Sequence, residues 1–297
     1  MELDRTVTEF VWKGQVPLRI SVHSEDVKTL MGSSSTSTGQ RDIDPQHILA
    51  LRCSYLPLLT STIRKYFTEL CNQPLVIDDA DIWYECEGVP LKWHYPIGLL
   101  FDIHNGARQL LPWTITVRFT SFPADKLIRV NAASSMDAPH DFFMALIKEA
   151  DFLRTGSIKK VMGLSKADQS SLWEGLCSND YEKFWAVNTR LITNEGIQPK
   201  AIPLRIYIQD RPVVQELVVP LDQERKIIPG VPENPRTISI VLQDVLKDAL
   251  DLTIDISTLQ VTLHGVAIPL DTPIPYLSVN MSYPDNFLHL VVVFPRR

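Results

Sequence analysis

The sequence predicts an α+β protein in which two β-grasp domains flank a helix-rich segment. Three observations lead there. A strand–strand–helix–strand order occurs twice along the chain. Each copy contains a β-rich run that turns on a glycine, at Gly88 and at Gly265. Between the copies, residues 134–195 carry helical periodicity and no strand signal.

In the first copy, Phe10 to Val22 (FVWKGQVPLRISV) reads as a hairpin. Gly14 divides two β-branched and aromatic runs, and Pro17 suits an edge or a strand start. Residues 24–46 lose all periodicity, and GSSSTSTGQRD within them reads as a flexible surface loop. From His47 to Leu70 the pattern is helical. Pro45 and Pro57 divide it into a short helix and a longer one over about 57–71, with Leu58, Ile63, Phe67 and Leu70 near one face. Ile82 to Asp102 (IWYECEGVPLKWHYPIGLLFD) is strand, tight turn, strand and helix. Ile82, Tyr84 and Cys86 alternate with Trp83, Glu85 and Glu87, and Leu91, Trp93 and Tyr95 resume the alternation after Gly88. Pro96 stands where a helix begins. Pro112 to Phe119 (PWTITVRF) is a strand.

In the middle segment, Ser134 or Ser135 is placed to cap a helix containing DFFMALIKEADFL. Ser165-Lys166-Ala167-Asp168 is a capping box with Asp in the Glu position, opening a helix through Leu172, Trp173 and Leu176. Tyr181 to Ile192 gives another helix, with Phe184, Val187 and Leu191 on one face. In the second copy, Ile202–Ile208 and Val213–Val219 are strands joined by QDRP, and residues 221–236 are a polar, Pro-rich loop. Thr237 caps a helix in which Ile238, Val241, Leu242, Val245, Leu246 and Ala249 recur at helical spacing. Leu259–Leu263, the Gly265 turn and Leu288–Phe294 complete the copy. The domain limits that follow are 1–121, 122–199 and 200–297.

A net charge of -6 gives no basic footprint for nucleic acid; Lys126, Arg129, Lys159 and Lys160 read as solvated surface residues. The N-terminus MELDRTVTEF is acidic and polar, unlike a secretory signal, and no apolar run is long enough to span a bilayer. A cytoplasmic protein is expected, with any membrane role peripheral. Cys53, Cys71, Cys86 and Cys177 are scattered without a C-x-x-C and read as reduced, structural thiols. Neither they nor the histidines have metal spacing, and no cofactor motif occurs. Cys86, Ser282 and His94 are candidate nucleophiles and base for a hydrolase or transferase, but no local signature supports them. His94, read as a strand residue, is expected to be structural.

WYECEGVPLKWHYPIGLLFD resembles the most recognisable block of the autophagy protein 5 family. MALIKEAD (144–151), FWAVN (184–188), IPLRIY (202–207) and SYPDNFLH (282–289) resemble further blocks in the same order. The resemblance implies two ubiquitin-like domains around a helical domain, in agreement with the elements above. It also implies a non-catalytic role. Members accept the C-terminal Gly of the ubiquitin-like autophagy protein 12 on one lysine, through upstream activating and conjugating enzymes. The conjugate binds autophagy protein 16 noncovalently, as a helix in a groove. It then acts as a ligase-like complex that promotes lipidation of autophagy protein 8 on autophagosome precursor membranes.

The acceptor implied by the KEAD-type motif is Lys148. An acceptor amine attacks a thioester only when neutral; apolar neighbours such as Met144 and Phe152 favour that form, whereas Glu149 and Asp151 oppose it. The sequence leaves that balance open. The chain closes on Phe294-Pro295-Arg296-Arg297 rather than a terminal Gly, so, if ubiquitin-like, it is expected not to be a donor of that kind. The alternative is an interaction scaffold without covalent chemistry.

Overall fold

The computed structural model describes residues 3–31, 43–71, 78–106, 108, 110–129, 137–193, 199–208, 211–221, 235–248 and 255–294. Most of the Ser/Thr-rich loop, both candidate cap serines, most of the 221–236 loop, Ala249 and the last three residues lie outside them. The described chain forms two compact units, Gln15–Phe142 and a second made of Met1–Gly14 with Phe143–Arg297.

The chain opens with helix α1 (Arg5–Trp12), not with the first arm of a hairpin. Asp4 Oδ1 accepts from Thr6 N at 2.9 Å and Val7 N at 3.3 Å, which satisfies two of the otherwise unpaired N–H groups of the first turn. Thr8, Val11 and Trp12 are buried at helical spacing. The Trp12 ring packs 4.8 Å from Phe184 and 6.1 Å from Tyr181, so this segment belongs to the second unit rather than to the first domain in which the sequence reading placed it.

The first sheet is built from β1 (Gln15–Val22), β2 (Gln46–Leu51), β3 (Trp83–Cys86), β4 (Val89–Pro90) and β5 (Trp113–Arg118), in the order β2-β1-β5-β3-β4. β1 and β5 are parallel neighbours at the centre, while β1–β2, β5–β3 and β3–β4 are antiparallel. Helices α2 (Ser24–Met31), α3 (Pro57–Cys71) and α4 (Ile97–Asn105) and a 3-10 turn at Asp79–Asp81 complete this unit's named elements up to β5. Its core gathers Leu18, Ile20, Ile63, Phe67, Ile97 and Ile115, with little or no exposure.

Three sequence expectations are corrected here. Residues 24–31 are helical, fixed by a contact that periodicity does not report. The buried Asp26 accepts from Arg118 Nε at 2.8 Å, from Phe119 N at 3.1 Å and from Thr120 Oγ1. Residues 46–51 are an edge strand and not a short helix; Leu49 on its outer face is exposed, so apolar residues on both faces hide the alternation. The second arm of the Gly88 hairpin stops at Pro90, which is tolerated at a sheet edge. Residues 93–95, His94 included, form a turn instead of a strand. The turn itself has both central residues at positive φ, Glu87 at 51° and Gly88 at 79°. The second sheet repeats it with His264 at 52° and Gly265 at 77°.

The helices that follow are α5 (Asp137–Thr155), α6 (Lys159–Met162), α7 (Lys166–Ser178) and α8 (Tyr181–Ile192), with no strand among the described residues. The capping box at Ser165 is present, with Asp168 returning its side chain to the Ser165 backbone N–H. α7 and α8 approach closely at Gly175. A Cβ there would sit 2.8 Å from the backbone nitrogen of Phe184. Gly175→Ala is therefore expected to wedge the pair apart and cost about 1–3 kcal/mol, read as a lower denaturant midpoint.

The second sheet takes β6 (Ile202–Ile208), β7 (Val214–Val218), β8 (Gln260–Leu263), β9 (Val266–Ile268) and β10 (Leu288–Val293), in the order β7-β6-β10-β8-β9. Its central pair, β6 and β10, is again parallel. Helix α9 (Ile238–Asp248) buries Ile238, Val241, Leu242, Val245 and Leu246. A further helix, α10 (Ile274–Asn280), precedes β10. The two sheets share one strand order and one parallel centre, so the protein contains two ubiquitin-like β-grasp units with helices between them in sequence.

Candidate conjugation site

Helix α5 carries the candidate acceptor. Phe143, Met144, Ile147, Ala150, Asp151 and Arg154 are buried on it, while Asp141, Ala145, Lys148 and Phe152 are exposed. The spacings 141, 145, 148 and 152 place these four along one solvent face. Of the two apolar residues expected to flank the lysine stem, Met144 turns inward and Phe152 outward.

The carboxylates beside Lys148 are both engaged elsewhere. Glu149 meets Arg205 of β6 at 3.2 Å and accepts from Gln215 of β7 at 2.8 Å. Asp151 is buried and accepts from the backbone N–H of Val161 at 3.2 Å and from Thr155 Oγ1 at 3.4 Å. Among the described residues Lys148 makes no ion pair. Neither acid is bonded to the Lys148 amine.

One turn beyond, Arg154 fixes the helix from inside. Its Nη1 donates to Ser278 Oγ at 2.8 Å, and its Nη2 to Asn286 O at 3.1 Å and to Ser278 O and Ser282 Oγ at 3.4 Å. Burial pushes this guanidinium down to about 10, with the nearby Asp151 opposing the shift. Arg205 lies 4.2 Å over the Phe287 ring. Tyr207 Oη is 2.8 Å from His289 Nδ1, and His289 Nε2 is 2.9 Å from Asp285 Oδ2. Asn286 Nδ2 donates to Asn188 Oδ1 at 2.9 Å. The four short blocks quoted from the sequence thus meet in one place. KEAD supplies Glu149, FWAVN supplies Asn188, IPLRIY supplies Arg205 and Tyr207, and SYPDNFLH supplies the loop they grip. Linear order gave no sign of this convergence. Arg154 was missed, and its only sequence signal is a charged residue at i+4 from a buried alanine on an apolar face.

The other candidates are placed differently. Cys86 is buried, receives Trp113 Nε1 at 3.4 Å, and has its thiol pushed up by burial. Ser282 Oγ donates to Ser278 O at 2.7 Å. Neither is hydrogen-bonded to a histidine. His94 packs 4.7 Å from Phe142 and 4.8 Å from Tyr95, ring to ring. Lys160 is not simply solvated: its ammonium donates to the carbonyls of Thr193 at 2.7 Å and Arg190 at 3.2 Å, at the C-terminal end of α8. Burial lowers its pKa. Lys159 beside it is exposed. Among the described residues no three His, Cys, Asp or Glu side chains are grouped to hold a metal, and no helix is long and apolar enough to cross a membrane.

Comparison with known proteins decides the family. Three family models match in succession: "Autophagy protein ATG5, UblA domain" over residues 11–119, "Autophagy protein ATG5, alpha-helical bundle region" over 136–194, and "Autophagy protein ATG5, UblB domain" over 201–292. The chain belongs to the autophagy protein 5 family. It is 32% identical to autophagy protein 5 of Phaeosphaeria nodorum, over 98% of each chain. It is 31% identical to that of Drosophila melanogaster, again over 98% of each. A crystal structure of Kluyveromyces marxianus Atg5 shares the fold with a TM-score of 0.76, at 23% identity, over 98% of this chain and all of that one. Family membership and the two ubiquitin-like units therefore stand as the resemblance implied.

Proposed function

We propose that this chain is the covalent acceptor of the ubiquitin-like autophagy protein 12, with Lys148 Nζ as the amine that is joined. The observation that carries the reading is the setting of Lys148. It is an exposed lysine on a helix whose opposite face is buried, and both acids of its own motif are bonded to other groups. The chain contributes a positioned amine and no catalytic residue; activation belongs to the activating and conjugating enzymes. Joined in this way and bound to a helix of autophagy protein 16, the chain serves as a non-catalytic part of the ligase-like complex for lipidation of autophagy protein 8. It works in the cytoplasm and, peripherally, on pre-autophagosomal membranes. The domain limits 122–199 and 200–297 belong to the same proposal.

Reconstitution with the activating enzyme, the conjugating enzyme, ATP and the modifier tests this. The expected product is a band shifted by one modifier on a denaturing gel, stable to reductant because an amide is not a thioester. Absence of that band would leave the second reading, an interaction scaffold without covalent chemistry.

A further inference from the structure

β7 is an outer strand: β6 pairs with one of its edges, and among the described residues no strand pairs with the other. Such an edge offers alternate N–H and C=O groups to any extended chain that approaches it. Exposed apolar residues flank this edge: Val213, Leu217 and Val219 lie at even spacing along the strand and its flanks, with Leu217 70% exposed. Val218 with Val241 and Val245 of α9 lines a cleft of about 180 Å³, whose other walls are Glu216, Leu217, Arg236 and Asp244. The edge also adjoins the acceptor. Gln215, between Val213 and Leu217 on the same side of the strand, holds Glu149, the residue next to Lys148. Phe152, 56% exposed, lies one helical turn beyond the lysine.

We propose that the outer edge of β7, unpaired among the described residues, receives the extended C-terminal tail of the modifier as an added strand. Alternate tail side chains enter the β7–α9 cleft and cover Leu217, and the terminal carbonyl is brought toward Lys148. This rests on the reading of Lys148 as acceptor. In the step served, the neutral Lys148 amine attacks the thioester carbonyl on the conjugating enzyme. A C–N bond forms, the C–S bond breaks, and the enzyme's thiolate leaves and takes up the proton that the nitrogen gives up. The edge acts by positioning, so its loss falls on KM for the loaded conjugating enzyme and not on kcat.

Two measurements test it. In the wild-type conjugate, the outward-facing amides of residues 214–218 are expected to exchange with solvent at least tenfold more slowly than in the unconjugated chain. Leu217→Asp is expected to raise KM roughly tenfold with kcat and the thermal midpoint unchanged. Unaltered exchange across 214–218, or wild-type kinetics for Leu217→Asp, overturns the edge proposal. The exchange measurement needs no substitution, so it decides the matter even where the variant is poorly folded. A Lys148→Arg chain that still accepts the modifier would instead sink the acceptor reading, whatever β7 does.

Discussion

Lys148→Arg is expected to leave a folded chain that forms no isopeptide conjugate. Arginine keeps the positive charge and most of the apolar stem, so the exposed face of α5 is little changed. Its guanidinium stays protonated at cellular pH and presents no nitrogen lone pair to a thioester. Lys148 bonds neither Glu149 nor Asp151, so the substitution removes no ion pair that holds the helix. The thermal midpoint should move by no more than a degree or two, and binding of the helical partner proposed above should persist. The measurement is the rate of appearance of the reductant-stable band beside a melting curve. Wild-type conjugation by Lys148→Arg would transfer the acceptor role elsewhere. Lys159, exposed on the short helix α6, is the first alternative; Lys160 is a poorer one, because its ammonium is spent on the Arg190 and Thr193 carbonyls.

The largest loss of stability is expected at Arg154. Arg154→Met keeps much of the volume but withdraws donors from Ser278, Ser282 and the Asn286 carbonyl. A buried acceptor left without a donor costs on the order of 1–3 kcal/mol. Relief from desolvating the guanidinium offsets part of that. The net loss should be about 3 kcal/mol, or roughly 6–12 °C in melting temperature for a body of this size. The pH dependence follows from the downward shift to about 10. Below that value the group is charged in both folded and unfolded chains, so the deficit of the variant is constant from about pH 6 to 8. Only as pH rises through 10 toward the ordinary arginine value does the wild type shed protons that its unfolded chain retains. There its stability gains relative to the variant. A deficit that instead varied between pH 6 and 8 would point to a different titrating group.

The architecture was legible because both units repeat one pattern and because turn chemistry is local. Gly88 and Gly265 mark hairpins that need positive φ, and Ser165 with Asp168 marks a helix start. What failed was decided at long range. Trp12 is part of a β-like run by composition, yet it buries against Phe184, far away in sequence, and Asp4 caps the helix that carries it. Residues 24–31 read as part of a loop, yet Asp26 fixes a helix there through Arg118, 92 residues further on. The candidate site divides the same way. Lys148 came from a motif, whereas the engagement of its acidic neighbours depends on Arg205, Gln215 and Val161, which only the fold supplies.

The docking of α1 has a consequence for how the chain is made. Its Asp4 backbone N–H reaches the Asn280 side chain, 276 residues away. Helix α1 therefore lacks Tyr181 and Phe184 until α8 has been synthesised, and lacks Asn280 until most of the residues between have followed. At roughly 5–20 residues per second that whole interval is on the order of half a minute. Until α8 is out, Trp12 lacks the rings that will pack against it, while β1 through β5 are out earlier and free to close their own sheet. Docking of α1 is thus expected to follow closure of the first sheet. A large tag placed before Asp4 would be expected to slow that step more than one placed in the 24–46 region.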